Sequence, residues 1–306
     1  MINYFGIPIL LAVIAGIFFP YTALAMMPYA VVFLFVLMLL SGFTVDWDRV
    51  PAALGRFQEL LLGLFLLFLF FPLLQLLLAR LLISDVQIIE GVVFGSLMPL
   101  ALVAPFFSRQ LGGDEELAFL LMVLSTLLAP LLSPLLLTVL VSSVLPVRVV
   151  PFMKNMLLLV TVPLLTSFLL VRVFPKIRAL LAPALPLANM GALSVLIFIL
   201  FGSAAGRLSL GYESGWLPVK LLLLAFFQDF GVLFLTRVLA GKLFSEKVAV
   251  TMMVALSMKN VAIAASILLF YDPRAAIAPA MVFIAHACLF SFIPGFRKVL
   301  AFREEQ

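Results

Sequence analysis

The residues best equipped for chemistry in this chain are few, and they stand inside long apolar runs. The segment VALSMKNVAIAAS carries Ser257, Lys259 and Asn260 in the middle of such a run. A charged side chain at the centre of a membrane helix costs roughly 2.5–3.5 kcal/mol on insertion scales, and such residues usually face a cavity and mark a pathway. Lys259 lies too far from either end of its run to snorkel to the interface. Asn260 either satisfies backbone groups left open by an unwound turn or serves packing alone. Asp229, in LAFFQDFGVLF, is the only carboxylate well inside an apolar run. An opposite charge within ~4–6 Å would keep both groups ionised, and Lys259 is the expected partner, with local capping as the alternative. His286, in IAHACLF, is the only histidine. An imidazole at that depth either relays protons or packs through hydrogen bonds. Cys288 is the only cysteine, so it forms neither an internal disulfide nor a zinc site, and it reads as a small buried residue.

No enzyme signature accompanies these residues. H-E-x-x-H is missing, the glycine-rich stretches lack a phosphate-binding Lys-Ser/Thr, and one histidine without a convergent serine motif makes no protease. The chain reads as a non-enzyme with no metal and no cofactor.

The elements that position these residues follow from composition. The 306 residues are 66% hydrophobic and 11% charged. A soluble domain carries about 25% charged residues, so lipid must be the solvent here. The runs are continuous and Leu-rich, as in LLLGLFLLFLFFPLLQLLLARLL, where a β-barrel would alternate. Ten helical spans are expected near 5–19, 23–42, 57–82, 86–110, 115–143, 152–174, 186–205, 216–238, 247–270 and 274–295. Pro20, Pro51, Pro146, Pro151, Pro175 and Pro273 mark joints between them. Ala23-Leu24-Ala25 resembles a signal cleavage site, but no positive n-region precedes it, so residues 5–19 read as a retained helix.

The net charge of +5 suggests no nucleic-acid partner, because the cations sit between the apolar runs and form no basic stripe. With ten spans, Arg49, Arg56, Arg109, Arg172, Lys176, Arg178, Arg237, Lys242, Lys247, Arg297, Lys298 and Arg303 fall on the side of both termini. Arg80, Arg148, Lys154, Arg207, Lys220 and Arg274 fall on the other. The excess places both termini in the cytoplasm and the chain in the cytoplasmic (inner) membrane.

Two spans are poor continuous helices. The fourth, GSLMPLALVAPFFSRQLGG, has Pro99 and Pro105 in mid-span, and the ninth holds Ser257, Lys259 and Asn260. Each is fourth in a set of five. Interrupted helices at matching positions of two halves point to a transporter's binding site. An odd number of spans per half makes the halves inverted, with residues 1–143 as one repeat and 152–306 as the other within a single membrane domain.

At these two spans the chain resembles the bile acid:sodium symporter family. The segment MPLALVAPFFSRQLGGDEELAFLLMVLSTLLAPLLSPLL is similar to that family's Pro-containing crossover helix, Gly-Asp turn and following S-T-L-x-A-P helix. SMKNVAIAASILLFYDPRAAIAPAMVFIAH resembles its G-M-Q-N segment, and SGFTVDWDRVP its loop after span two. The resemblance implies an all-α membrane protein of ten transmembrane helices in two inverted five-helix repeats. Spans 1, 2, 6 and 7 would form a panel. The others would form a core in which broken helices four and nine cross. It also implies a small organic anion as substrate, such as a bile acid, a keto acid or pantothenate.

The departures bear on mechanism. The positions that hold sodium in the family fall at Leu67, Ala104, Pro105, Ala118, Met122, Ala255 and Lys259. A hard cation needs several oxygen ligands, and these side chains supply none. The expectation is a secondary transporter that works without sodium. Lys259 would be a fixed charge in the cation's place, a group that exchanges protons and links them to transport, or a direct contact for the anion. Two alternatives stay open: a sodium-independent exporter resembling the auxin-efflux carriers, and a membrane receptor or scaffold that has lost transport. A decayed site would not readily keep a mid-span lysine, which weighs against the last.

Overall fold

The computed structural model describes residues 6–48, 55–141, 149–209, 215–233 and 244–300. Pro51, Pro146, Arg49, Arg148, Arg237, Lys242 and Arg303 lie outside the described residues.

The described chain is helical. Helix α1 is Gly6–Phe18, α2 is Pro20–Gly42, α3 is Phe57–Leu82, α4 is Val86–Ser96 and α5 is Ala104–Gln110. Then come α6 (Glu115–Val141), α7 (Val149–Val173), the short α8 (Lys176–Leu181) and α9 (Leu185–Ser209). Helix α10 (Leu217–Phe226) runs on as π-helix through Gly231, and α11 (Glu246–Ser257), α12 (Val261–Tyr271) and α13 (Ile277–Leu300) complete the order. Helices α2, α3, α6, α7 and the Leu185–Leu208 part of α9 are each long and apolar enough to cross a bilayer alone.

Leu11, Phe18, Leu77, Leu81 and Leu187 are all exposed. An outer surface this rich in large apolar side chains suits a hydrocarbon surround. Ion pairs tie together segments at the ends of the helices. Arg172 reaches Asp48 (3.1 Å) and Arg178 reaches Asp46 (3.9 Å), joining the loop after α2 to the last turn of α7 and to α8. Arg56 and Asp114 meet at 2.8 Å just before α3 and α6. Arg274 meets Asp85 at 2.7 Å, joining the loop after α3 to the loop after α12.

Helices α1, α2 and α9 pack together, with α7 against α2. Small residues let backbones approach there. A Cβ built on Gly16 would lie 2.9 Å from the Gly202 nitrogen, and one on Gly202 would lie 2.5 Å from the Ala23 methyl. A second group is formed by α3, α4, α6, α10, α12 and α13, with α5 and α11 against α6.

The two expected interruptions are present. Between α4 and α5 the chain leaves the helix at 97–103, and between α11 and α12 at 258–260. Pro99 lies inside the first break, but Pro105 does not. It sits in the first turn of α5, where its missing N–H would have no helical acceptor anyway.

Candidate functional site

The two breaks satisfy each other. Leu100 and Lys259 form an antiparallel bridge, Ala101 donates its N–H to the Met258 carbonyl (2.7 Å), and Asn260 donates to the Pro99 carbonyl (2.9 Å). Unwound backbone at membrane depth is tolerable only when protein supplies such partners. Helix α6 adds two more. Ser125 Oγ accepts the Leu100 N–H at 3.2 Å, and Ser133 Oγ donates to the Leu97 carbonyl at 2.7 Å. Thr126 donates to the Met122 carbonyl of its own helix, and Ser125, which also donates there, braces the break together with Ser133.

Lys259 is 1% exposed, and its ammonium donates to the Leu67 carbonyl at 2.9 Å. It also lies 5.2 Å from the centre of the Phe71 ring. The carbonyl is available for a local reason: α3 is π-helical over Leu66–Phe70, and a π-bulge disturbs the i→i−4 ladder. A cation contacts such a carbonyl and ring face favourably. The tertiary fold therefore brings together Leu67 and Lys259, two of the positions singled out by their departure from a sodium-ligand pattern.

The expected Lys259–Asp229 ion pair does not form. Asp229, fully buried in the π-helical turn Phe227–Gly231, has His286 as its partner, with Oδ1 3.5 Å from Nε2. The π-helical turn of α10 packs on α13, which carries His286, while the break sends the Lys259 ammonium to α3. The imidazole also bonds the main chain of Ser257. Ser257 ends α11 and turns its hydroxyl back onto the Met253 carbonyl at 2.9 Å. Asn260 stands at the N-cap of α12, yet its side chain makes no capping bond; its main-chain N–H serves the break instead.

Ala104, Ala118, Met122 and Ala255 are buried. With Pro105 they lie on α5, α6 and α11, which pack on one another. None of these side chains offers an oxygen. Among the described residues no group of three His, Cys, Asp or Glu is placed to hold a metal ion.

A cavity of about 320 Å³ opens between α1, α2 and α9 on one side and the two breaks with α13 on the other. Its polar lining includes Ser41, Thr44, Asn189, Lys259, Asn260 and His286. Ser41 donates to Asn189 Oδ1 at 3.2 Å. Sequence reading missed Ser41, Thr44 and Asn189, because short neutral side chains on apolar helices give no signal until opposite walls of a cavity bring them together. Val261 and Ala262, the first residues of α12, complete the wall beside the break.

At one end of the bundle the acidic run after α5 is more than a solvated loop. Asp114 accepts from the Leu117 N–H at 3.0 Å and from Arg56, and its N–H donates to Thr251 Oγ1 at 2.8 Å. Burial pushes the Asp114 carboxyl up, but the Leu117 N–H and the Arg56 guanidinium outweigh it and hold the group below its ordinary value. Arg109 and Glu115 do sit in an exposed pair, 3.6 Å apart.

The apolar helices mark a multi-pass membrane protein, in which two mutually bonded breaks stand beside a cavity. Comparison with known proteins gives the family. Residues 31–209 match the Sodium Bile acid symporter family, more than half of the chain, and the chain belongs to it. The matched residues end before the second break. The Bacillus subtilis (strain 168) protein described as an uncharacterized sodium-dependent transporter, YocS, is 24% identical over 233 residues, 71% of this chain and 73% of its own length. The Arabidopsis thaliana protein described as a probable sodium/metabolite cotransporter, BASS1, chloroplastic, is 24% identical over 269 residues, 87% of this chain and 66% of its own length. The family is one of transporters, and its members' names speak of sodium and metabolites.

Proposed function

We propose that this protein is a secondary transporter of a small organic anion that works without sodium, with the Lys259 ammonium in the place of a coupling cation. The observation that carries this reading is the buried contact from Lys259 Nζ to the Leu67 carbonyl. A cation fixed to the chain supplies there the positive charge that a bound ion would otherwise supply. Ala104, Pro105, Ala118, Met122 and Ala255 offer no side-chain oxygen to rebuild an ion site nearby.

The cavity suits the substrate class. Its volume falls at the small end of ligand pockets, roughly 300–1,000 Å³. Its walls are mostly apolar, with neutral amide groups at Asn189 and Asn260 to donate and the Ser41 and Thr44 hydroxyls already donating within the protein. The N-terminal turn of α12 beside Lys259 adds the positive end of a helix dipole, which favours an anion. In this reading the chain threads ten spans as two inverted halves, residues 1–143 and 152–306, with both termini in the cytoplasm. The group α1, α2, α7 and α9 is then the panel against which the remaining helices move.

The test is thermal unfolding of the purified protein with cholate, pyruvate or pantothenate, each in sodium and in choline buffer. A ligand of the folded state raises the melting temperature by mass action. Equal stabilisation by one anion in both buffers is expected. Stabilisation confined to sodium would overturn the sodium-independent reading, and none in either buffer would count against an anion carrier.

A further inference from the structure

The Asp229–His286 pair takes no part in the Lys259–Leu67 contact. We infer that this pair is a proton-binding site that couples protons to transport, an inference that rests on the carrier reading above. Three independent observations support it. The two side chains are 0% and 5% exposed and face each other at 3.5 Å from different helices. Neither Asp229 oxygen receives a hydrogen bond from a described residue. A buried carboxylate without donors costs several kcal/mol unless a proton or cation is shared with it. Finally, His286 lines the cavity, so water there can deliver a proton to the ring.

The exchange is simple. A proton from cavity water forms an N–H bond at the imidazole and is shared with the Asp229 carboxylate. It returns to water when the cavity faces the other side. Since the imidazole also bonds the Ser257 main chain, its state bears on the end of α11 and on the break that carries Lys259 and Asn260. With Lys259 cationic and Asp229 anionic, an unprotonated pair leaves the site neutral. Binding a proton makes it positive, a state that favours an anion. Proton and anion are therefore bound together and move in the same direction.

Of the other titratable groups on the helices packed around the pair, one stands near it. Cys288, also on α13, is close enough to feel the Asp229 charge. On α4, Glu90 lies near Asp272; on α5, Arg109 pairs with Glu115; on α9, Arg207 contacts Met27 Sδ. Tyr271 of α12 donates to the Pro151 carbonyl. Lys220 stands in the first turn of α10, Glu246 and Lys247 in that of α11, and α1 has none.

Proteoliposomes on a solid-supported membrane, stepped in pH without substrate, test the site with protons as the probe. The wild type should give a transient current. Asp229→Asn and His286→Gln should abolish it, while Gly191→Ala, with nothing within 4 Å of the added Cβ, keeps it. A wild type without current, or both pair variants with wild-type current, would overturn the site. Misfolding of a variant is bypassed by labelling histidine with nitrogen-15 in the wild type, since His286 is the only histidine. Ring signals that move between about pH 5 and pH 9 support the proposal, and signals fixed across that range refute it. If no anion stabilises the protein yet the pH-step current persists, the carrier reading fails while the proton site stands.

Discussion

Replacing Lys259 by methionine separates function from stability. The substitution removes a charge-assisted hydrogen bond to the Leu67 carbonyl, worth roughly 1.5–3 kcal/mol. It also removes the contact with the Phe71 ring, worth about 0.5–2 kcal/mol. Against these losses it abolishes the penalty of a charge in mid-membrane, roughly 2.5–3.5 kcal/mol. Methionine has nearly the length of the lysine stem and fills the same space. The terms cancel to within about 2.5 kcal/mol, so the melting temperature in detergent should stay near that of the wild type. Transport of whichever anion stabilises the protein should be lost, because the fixed charge is gone. Melting and proteoliposome uptake are read on the same preparation. Uptake at the wild-type rate would refute the argument. So would a collapse of the melting temperature that Lys259→Arg restores, because Lys259 would then be structural.

Four further outcomes follow from the packing. Gly91→Ala would place a Cβ 1.9 Å from the Ala275 carbonyl oxygen, so backbone must shift, at about 1–3 kcal/mol or more. Gly191→Ala, with nothing within 4 Å, should leave the melting temperature unchanged. Gln75 is 1% exposed, with both amide atoms unpartnered among the described residues, and shares a cavity of about 10 Å³ with Gln228. Gln75→Leu should therefore be neutral or stabilising by about 1 kcal/mol, and a clear fall in melting temperature would reveal a water held between the amides. Asp114→Asn keeps the acceptor for the Leu117 N–H but removes the charge facing Arg56, at up to about 1 kcal/mol after solvent screening. The depressed folded value means this stabilisation is full above about pH 4 and fades as pH falls through it. Wild type and variant should thus differ at neutral pH and converge in acid, and a difference that persists in strong acid would contradict the assignment.

Much of the architecture was legible before any coordinates. The spans expected near 57–82 and 115–143 appear as Phe57–Leu82 and Glu115–Val141. The break at Pro99 was visible because proline removes a donor, and the one at Lys259 because a charge in an apolar run demands an explanation. Pro105 misled, because a proline can open a helix as readily as end one. The Lys259–Asp229 pairing misled for another reason: opposite charges in one apolar chain invite pairing, but a carbonyl and a ring can satisfy a cation as well. The Leu67 carbonyl could not have been foreseen, since a backbone oxygen freed by a π-helical turn has no side-chain signature.

The sequence alone determined that this protein belongs in a membrane and roughly where its helices begin and end. Hydropathy and helix-breaking act over a few turns, and a local string of residues encodes them completely. It also marked Lys259, Asp229 and His286, because a polar group in hydrocarbon must have a reason to be there. Only the tertiary structure decided who answers whom: Lys259 with Leu67, Asp229 with His286, and the two breaks with each other. Those choices are made between helices far apart in the chain, where the cost of burying each polar group is offset by whichever partner the packing brings within reach.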